Sequence, residues 1–165
     1  MMRLIISMRI AIIGNSGSGK TTLARRLTSM NESRLLELDS IYWEPGKIAE
    51  KRSPEAIESD LQNFVAKDTN WIIEGCYGSL LTIVKDSIDL LIFMNPGVEK
   101  CVANNLKRPW EPEKYSSAED QNSKLKFLIQ WVKEYYERDD EMSLQQHAKF
   151  YDEFAGTKLE VKNSD

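Results

Sequence analysis

Eight consecutive residues, Gly14-Asn15-Ser16-Gly17-Ser18-Gly19-Lys20-Thr21, constrain this chain more than any other stretch. They fill every fixed position of the phosphate-loop pattern G-x-x-x-x-G-K-[ST], and their flanks are the ones that pattern requires. Arg9-Ile10-Ala11-Ile12-Ile13 ahead of them reads as a buried strand, and Thr22-Leu23-Ala24-Arg25-Arg26-Leu27 behind them as the first turns of a helix. Glycines at 14, 17 and 19 let the backbone bend tightly and aim successive N–H groups at one point. The positive end of the helix faces the same point. Gly14, Asn15, Ser16, Gly17, Ser18, Gly19, Lys20, Thr21 and Thr22 therefore read as a cradle for a nucleoside triphosphate. Lys20 is placed to reach the β- and γ-phosphates, and the Thr21 hydroxyl to take a position on Mg²⁺.

The rest of the composition narrows the setting. A chain of 165 residues, 41% hydrophobic and 29% charged, fits one globular domain spanning 1–165. Its net charge of −4 and the lack of any lysine or arginine run argue against nucleic acid as a partner. Cys76 and Cys101 have no metal-ligand spacing and read as reduced core thiols of a cytoplasmic protein. The apolar run from Met1 to Ser7 is short and flows into the first strand, so Met1 and Met8 are both candidate starts. No stretch has the roughly 20 apolar residues of a membrane span.

Strand and helix signals alternate, which argues for an α/β fold with a parallel sheet covered by helices. The first helix is expected to run to about Met30. Further strands are expected at Leu35–Asp39, Trp71–Gly75, Asp89–Met94 and Lys158–Val161. Ser53-Pro54-Glu55 reads as a capped helix start, and so do Ser116-x-x-Glu119 and Ser143-Leu144-Gln145-Gln146. Leu125, Leu128, Ile129, Val132, Tyr135 and Tyr136 recur at helical spacing, which predicts one helix packed on the body. Arg108-Pro109-Trp110-Glu111-Pro112 interrupts the helical pattern before it.

Phosphoryl transfer needs alignment, charge neutralisation and a group that receives the acceptor's proton. In a parallel sheet such groups belong beyond the carboxyl ends of the strands. Asp39, expected to end the second strand, is the candidate base or acceptor clamp. Glu74, near the end of the third, is the candidate carboxylate beside the metal, while Glu37 reads as facing the other side of its strand. Arg108, just before the proline-containing stretch, and Arg138, after the tyrosine-bearing helix, are candidates for neutralising phosphate charge. Tyr42 and Trp43 either line an acceptor pocket or pack ordinarily. Trp110, Trp131, Tyr135 and Tyr136 read as core and lid packing, and His147 as structural or exposed.

With these residues in view, the chain resembles the P-loop small-molecule kinases of the adenylate kinase and shikimate kinase type. It is more closely similar to the adenylate-kinase-related topology modulation proteins. The likeness rests on Ile13 to Ala24, Leu38-Asp39-x-x-x-Trp43-x-Pro45-Gly46, Trp71-Ile72-Ile73-Glu74-Gly75-x-Tyr77 and Asp89 to Phe93, with the final helix and Gly156 to Leu159 also similar. The resemblance implies a three-layer fold, a five-stranded parallel sheet in order 2-3-1-4-5, an acceptor-binding region at about 40–70 and a lid at about 107–122. By position it implies that Asp39 is the acceptor-side aspartate and Arg108 the arginine that starts the lid. One departure stands out: related lids are arginine-rich, whereas Arg108 to Lys124 holds one arginine and is acidic at Glu111, Glu113, Glu119 and Asp120.

The expectation is thus an ATP- and Mg²⁺-dependent kinase acting on a small hydroxyl- or phosphate-bearing metabolite, with Lys20, Asp39 and Arg108 catalytic and Thr21 and Glu74 at the metal. The alternative is a nucleotide-dependent regulatory ATPase switch acting on a protein partner. A guanine-nucleotide version is disfavoured, because neither N-K-x-D nor D-x-x-G occurs.

Overall fold

The computed structural model describes residues 7–163, so the question of Met1 against Met8 as the start falls largely outside the described residues. The elements run β1 (Arg9–Gly14), α1 (Lys20–Asn31), β2 (Arg34–Glu37), α2 (Asp39–Tyr42), β3 (Trp43–Glu44), β4 (Lys47–Lys51), α3 (Pro54–Lys67) and β5 (Trp71–Gly75). They continue with α4 (Gly78–Val84), β6 (Leu90–Met94), α5 (Val98–Leu106), α6 (Ala118–Lys133), α7 (Leu144–Glu153) and β7 (Thr157–Val161). Five strands form one parallel sheet in the order β2-β5-β1-β6-β7. Counted among these five strands alone, that is 2-3-1-4-5, the order the resemblance implied.

The central strands explain why the sheet was legible. Every residue of β5 is buried, and β1 is buried from Ile10 onward, as expected where helices cover both faces of a parallel sheet. Alternate residues then sort to opposite faces. Ala11, Ile13, Trp71, Ile73 and Leu91 join Ile57, Leu61 and Leu81 of α3 and α4 in the larger core. Ile10, Ile12, Ile72 and Ile92 meet Ala24, Leu23 and Leu27 of α1 on the other face. The chain goes from β1 to β2 at one edge, returns to β5 beside β1, and then crosses to β6 on the far side of β1. That reversal opens a crevice at the carboxyl end of β1, where the phosphate loop lies.

Several local expectations are corrected. β2 stops at Glu37, and Asp39 does not end it. Leu38 takes helical dihedrals (φ −60°, ψ −27°), and its carbonyl accepts from Ile41 and Tyr42 N–H, so Asp39 opens α2. The cap of α6 is Ser117, whose Oγ accepts from Asp120 N–H at 3.0 Å; Ser116 bonds the Asp120 carboxylate instead. Ser53 and Ser143 cap α3 and α7 as expected. The helical spacing that ran on to Tyr136 breaks after Lys133, where Glu134–Tyr136 tighten into a 3₁₀ turn. Tyr135 stays buried, but Tyr136 is 56% exposed and Trp110 50% exposed, so neither packs in the core. β3 and β4 form a small antiparallel hairpin, turning at Gly46 (φ 73°), that the sequence did not announce. Among the described residues no helix is long and apolar enough to cross a membrane.

Candidate active site

Steric crowding explains the glycines of the loop. A Cβ on Gly14 would stand 2.4 Å from the Met94 carbonyl oxygen, and one on Gly17 would stand 2.4 Å from that of Cys101. Gly17 (φ 78°) and Gly19 (φ 96°) also occupy the left-handed region that favours glycine. Neighbouring helices clamp the loop: Asn104 Nδ2 donates to Gly17 O at 2.7 Å, and Ser16 Oγ donates to Asn105 Oδ1 at 3.2 Å. Asn15 Oδ1 accepts from Ser16 N–H at 2.8 Å, while its Nδ2 donates to Val132 O at 3.3 Å. Lys20 is buried, its ammonium donating to Asn15 O at 2.7 Å across the loop. α1 has no side-chain cap, so its first N–H groups are left facing the loop without a capping oxygen. Ser18 Oγ is buried and has no hydrogen-bond partner among the described residues.

Beside Lys20, Thr21 Oγ1 donates to Glu74 Oε1 at 2.9 Å. Glu74 is buried near the end of β5. Burial lifts its pKa above the ordinary carboxylate value, and the Lys20 charge only partly opposes this. A hydroxyl and a carboxylate oxygen are the hard donors Mg²⁺ takes, usually with phosphate oxygens and water completing its shell. Among the described residues no group of three or more His, Cys, Asp or Glu is placed to hold a metal alone. The residues present therefore fit a nucleotide-bound Mg²⁺ rather than a protein-caged one.

Across the crevice, Asp39 is held from two sides. Tyr77 OH donates to its Oδ1 at 2.5 Å, and Trp43 Nε1 donates to Tyr77 OH at 2.9 Å. Lys114, from the segment between α5 and α6, places its ammonium 3.1 Å from Asp39 Oδ2 and 3.1 Å from Glu111 Oε1. Arg108 Nη1 reaches Glu111 Oε2 at 3.5 Å. Burial pushes Asp39's pKa upward, but the Lys114 charge and the Tyr77 hydroxyl outweigh it and hold the carboxyl below its usual range. The Lys114 ammonium responds in the opposite sense. Burial lowers its pKa, Asp39 and Glu111 raise it, and the carboxylates prevail.

Two cavities meet at this point. The larger, about 970 Å³, holds the phosphate loop and is lined by Lys20, Thr21, Asp39, Glu74, Arg108 and Lys114, among others. The smaller, about 210 Å³, lies between α2, the β3–β4 hairpin and the segment before α6. Asp39, Glu113 and Lys114 line both. The structure thus gathers Lys20, Thr21, Glu74, Asp39 and Arg108 around one cleft, as the sequence suggested. Arg138 is not among them. It is paired with Asp140 at 2.9 Å and stacked 4.0 Å over the Trp131 ring. Glu37 pairs with Arg25 at 2.8 Å, but it also lines the smaller pocket rather than facing away from the site as expected. His147 is fully buried between Tyr135 OH (2.7 Å) and Cys76 O (2.6 Å).

Lys114 and Tyr77 hold Asp39 without being marked as functional by the sequence. Tyr77 carries one signal, its spacing after the Trp71–Gly75 strand, whereas Lys114 sits among Glu111, Glu113 and Glu119 and carries none.

No family model matches the chain, and no curated protein matches it in sequence. Solved structures do. Shikimate kinase from Acinetobacter baumannii, in complex with shikimate, aligns over 96% of this chain and 86% of its own, at 18% identity and a TM-score of 0.55. An unliganded sugar kinase from Janibacter sp. HTCC2649 aligns over 96% of this chain and 87% of its own, at 16% identity and a TM-score of 0.49. The chain shares the α/β fold of that shikimate kinase, with a five-stranded parallel sheet.

Proposed function

We propose that the protein is a P-loop kinase that moves the γ-phosphoryl group of ATP to a small hydroxyl- or phosphate-bearing metabolite. One observation carries this reading: Asp39 stands on the wall shared by the phosphate-loop cleft and the smaller pocket. A carboxylate between a donor site and an acceptor site is where in-line transfer needs it. The loop amides and Lys20 would hold the triphosphate, and Thr21 with Glu74 would hold Mg²⁺ through the donors described above. Bound Mg²⁺ neutralises charge on the β- and γ-phosphates.

Asp39's depressed pKa keeps it ionised at neutral pH. A loose phosphoryl-transfer transition state asks more for an oriented acceptor oxygen than for a strong base, so a weakly basic carboxylate suffices. Arg108 and Lys114 belong to a lid at about 107–122 of a single domain, with the acceptor region at about 40–70. In this reading Lys114 supplies positive charge where related lids carry more arginines. The closer likeness to topology modulation proteins and a cytoplasmic setting belong to the same proposal.

The test is ADP release from Mg-ATP across pooled metabolites, with Lys20→Ala as control. Acceptor-dependent release that the substitution abolishes supports the kinase. Tight ATP binding with only slow, acceptor-independent release would favour the nucleotide-dependent switch and a protein partner.

A further inference from the structure

Three residues from separate segments form a hydrogen-bonded chain beside the smaller pocket. Asp39 opens α2, Trp43 opens β3, and Tyr77 immediately precedes α4. Trp43 Nε1 lies 2.9 Å from Tyr77 OH, and Tyr77 OH lies 2.5 Å from Asp39 Oδ1. Chemistry fixes the direction of this chain. An indole nitrogen only donates, so the Tyr77 oxygen has to accept from Trp43. A phenol carries a single proton, and that proton is then left for Asp39 Oδ1. Trp43 thus sets where the Tyr77 hydroxyl points.

Packing holds the same geometry. Tyr77 is buried, and its ring stacks on Tyr42 with centroids 4.1 Å apart and planes at 20°. Trp43 meets Tyr42 edge-on, at 4.6 Å between centroids and 76° between planes. The Tyr77 carbonyl accepts from Leu80 and Leu81 N–H, which ties its backbone to the first turn of α4. Burial and the Asp39 charge raise the pKa of the Tyr77 phenol far above its ordinary value, so it stays a donor and passes no proton. Among the described residues that line the two cavities, Trp43 belongs to the smaller and Tyr77 to neither.

The two oxygens of Asp39 are therefore not equivalent. Oδ1 is held from the buried side by Tyr77, whereas Oδ2 meets Lys114, a residue that lines both cavities. Resting on the kinase reading above, we propose that Tyr77 and Trp43 are positioning residues that act through Asp39. Trp43 aims the Tyr77 hydroxyl, the hydroxyl holds Oδ1, and Oδ2 is left on the cavity side as the oxygen that meets the acceptor. Trp43 then has two tasks, as wall of the smaller pocket and as first link of the chain that orients the carboxylate.

The experiment is a double-substitution cycle of Tyr77→Phe and Trp43→Phe, read in two ways on variants shown to be folded by their melting temperatures. One readout is the titration of the Asp39 carboxyl carbon by NMR, assigned by its loss in Asp39→Asn. Lys114, Lys20 and Glu74, the other charged groups that act with this carboxylate, are kept in every variant. The second readout is ADP release from Mg-ATP with the pooled metabolites. Tyr77→Phe should move the Asp39 titration to higher pH and lower kcat about 10–100-fold, the cost of a misaligned reacting group. Trp43→Phe should do both to a smaller extent, lowering kcat about 2–10-fold, the worth of one neutral hydrogen bond. In the Tyr77→Phe background Trp43→Phe should change neither readout further, since residues that act in series are not additive. KM for Mg-ATP should stay at the parent value, because the described lining of the phosphate cleft includes neither side chain. Additive effects in the double variant, or an Asp39 titration that Tyr77→Phe leaves unmoved, overturn the proposal and leave the kinase standing. A cycle that holds for the titration while no protein releases ADP with any pool upholds the positioning of Asp39 and overturns the kinase reading instead.

Discussion

Lys114 Nζ stands 3.1 Å from Asp39 Oδ2, tying the segment between α5 and α6 to the opposite wall of the phosphate cleft. Burial would push the Asp39 carboxyl towards its neutral form, and this lysine is the largest influence opposing it. The contact therefore bears on the protonation state of the proposed base and ties the segment that carries Lys114 to the wall that carries Asp39.

Replacing Lys114 with alanine should raise the pKa of Asp39 and move the acid limb of the kcat/KM profile to higher pH. In the parent protein that limb should fall below the ordinary carboxylate value of about 3.9. Lys114→Arg keeps the charge and should leave the limb close to the parent position. A pH–rate series with the acceptor found in the ADP-release screen checks this. Identical acid limbs in parent and alanine variant would remove Asp39 from the role of base.

Tyr77→Phe acts on the same carboxylate through a neutral partner. It removes the 2.5 Å hydrogen bond to Asp39 and leaves Trp43 Nε1 without its acceptor. Losing a bond to an ionised group and orphaning a half-buried N–H should destabilise the protein by about 1–3 kcal/mol. The acid limb should rise as well, by less than in Lys114→Ala. Urea midpoints together with the pH profile separate the two effects.

How much of this was visible in the sequence depended on whether the signal was contiguous. β1 and β5 are buried on both faces and so show the apolar runs Ile10-Ala11-Ile12-Ile13 and Trp71-Ile72-Ile73, and the loop's glycines fill fixed positions of one eight-residue pattern, although the atoms that crowd Gly14 and Gly17 come from Met94 and Cys101. Lys20, Thr21, Glu74 and Asp39 followed, because strand ends in a parallel sheet converge at one edge. Lys114 did not, since a lysine among glutamates looks like any solvated charge until the fold brings Asp39 against it. Arg138 failed for the converse reason: Asp140, two residues on, and the Trp131 ring hold it in place. The β3–β4 hairpin was silent because its strands are short and polar, so no alternation marks them.

Two glycines with similar φ should respond differently to alanine. Gly17 (φ 78°) has a backbone carbonyl oxygen 2.4 Å from where a Cβ would sit, whereas Gly46 (φ 73°) has nothing within 4 Å. Gly46→Ala should cost about 1 kcal/mol of left-handed strain alone. Gly17→Ala adds a clash with backbone that cannot step aside, and should cost roughly 2–4 kcal/mol and weaken ATP binding. Equal urea midpoints for the two variants would contradict the close packing of the loop on α5.

His147 makes stability depend on pH. Burial lowers its pKa from 6.5 to about 4, so the folded protein keeps it neutral while the unfolded chain takes up a proton below 6.5. The unfolded state then binds more protons between about 6.5 and 4, and stability must fall as the pH drops through that window. The full loss is on the order of 3 kcal/mol. His147→Gln should be less stable at pH 7, because the bonds to Tyr135 and Cys76 O change, yet show a flatter slope between pH 6.5 and 4. Urea titrations at intervals across that range measure it, and parallel slopes in the two proteins would assign the acid sensitivity to carboxylates instead.

The Thr21–Glu74 pair makes a last prediction about the metal. Thr21 Oγ1 and Glu74 Oε1 lie 2.9 Å apart beside the buried ammonium of Lys20, the hard-oxygen pair proposed to meet nucleotide-bound Mg²⁺. Thr21→Val removes one oxygen while preserving shape, and deprives Glu74 of its donor. The Mg²⁺ concentration needed for half-maximal ADP release should rise roughly 10–100-fold, the usual cost of disturbing a metal's protein partners. Thr21→Ser restores the hydroxyl and should recover most of that loss. Glu74→Gln keeps a hydrogen-bond acceptor but no charge, so it should also raise the Mg²⁺ concentration needed for half-maximal ADP release. If Thr21→Val and Glu74→Gln both saturated at the parent's Mg²⁺ concentration, this pair would be a structural bond and the metal would have to be held by the triphosphate and water alone.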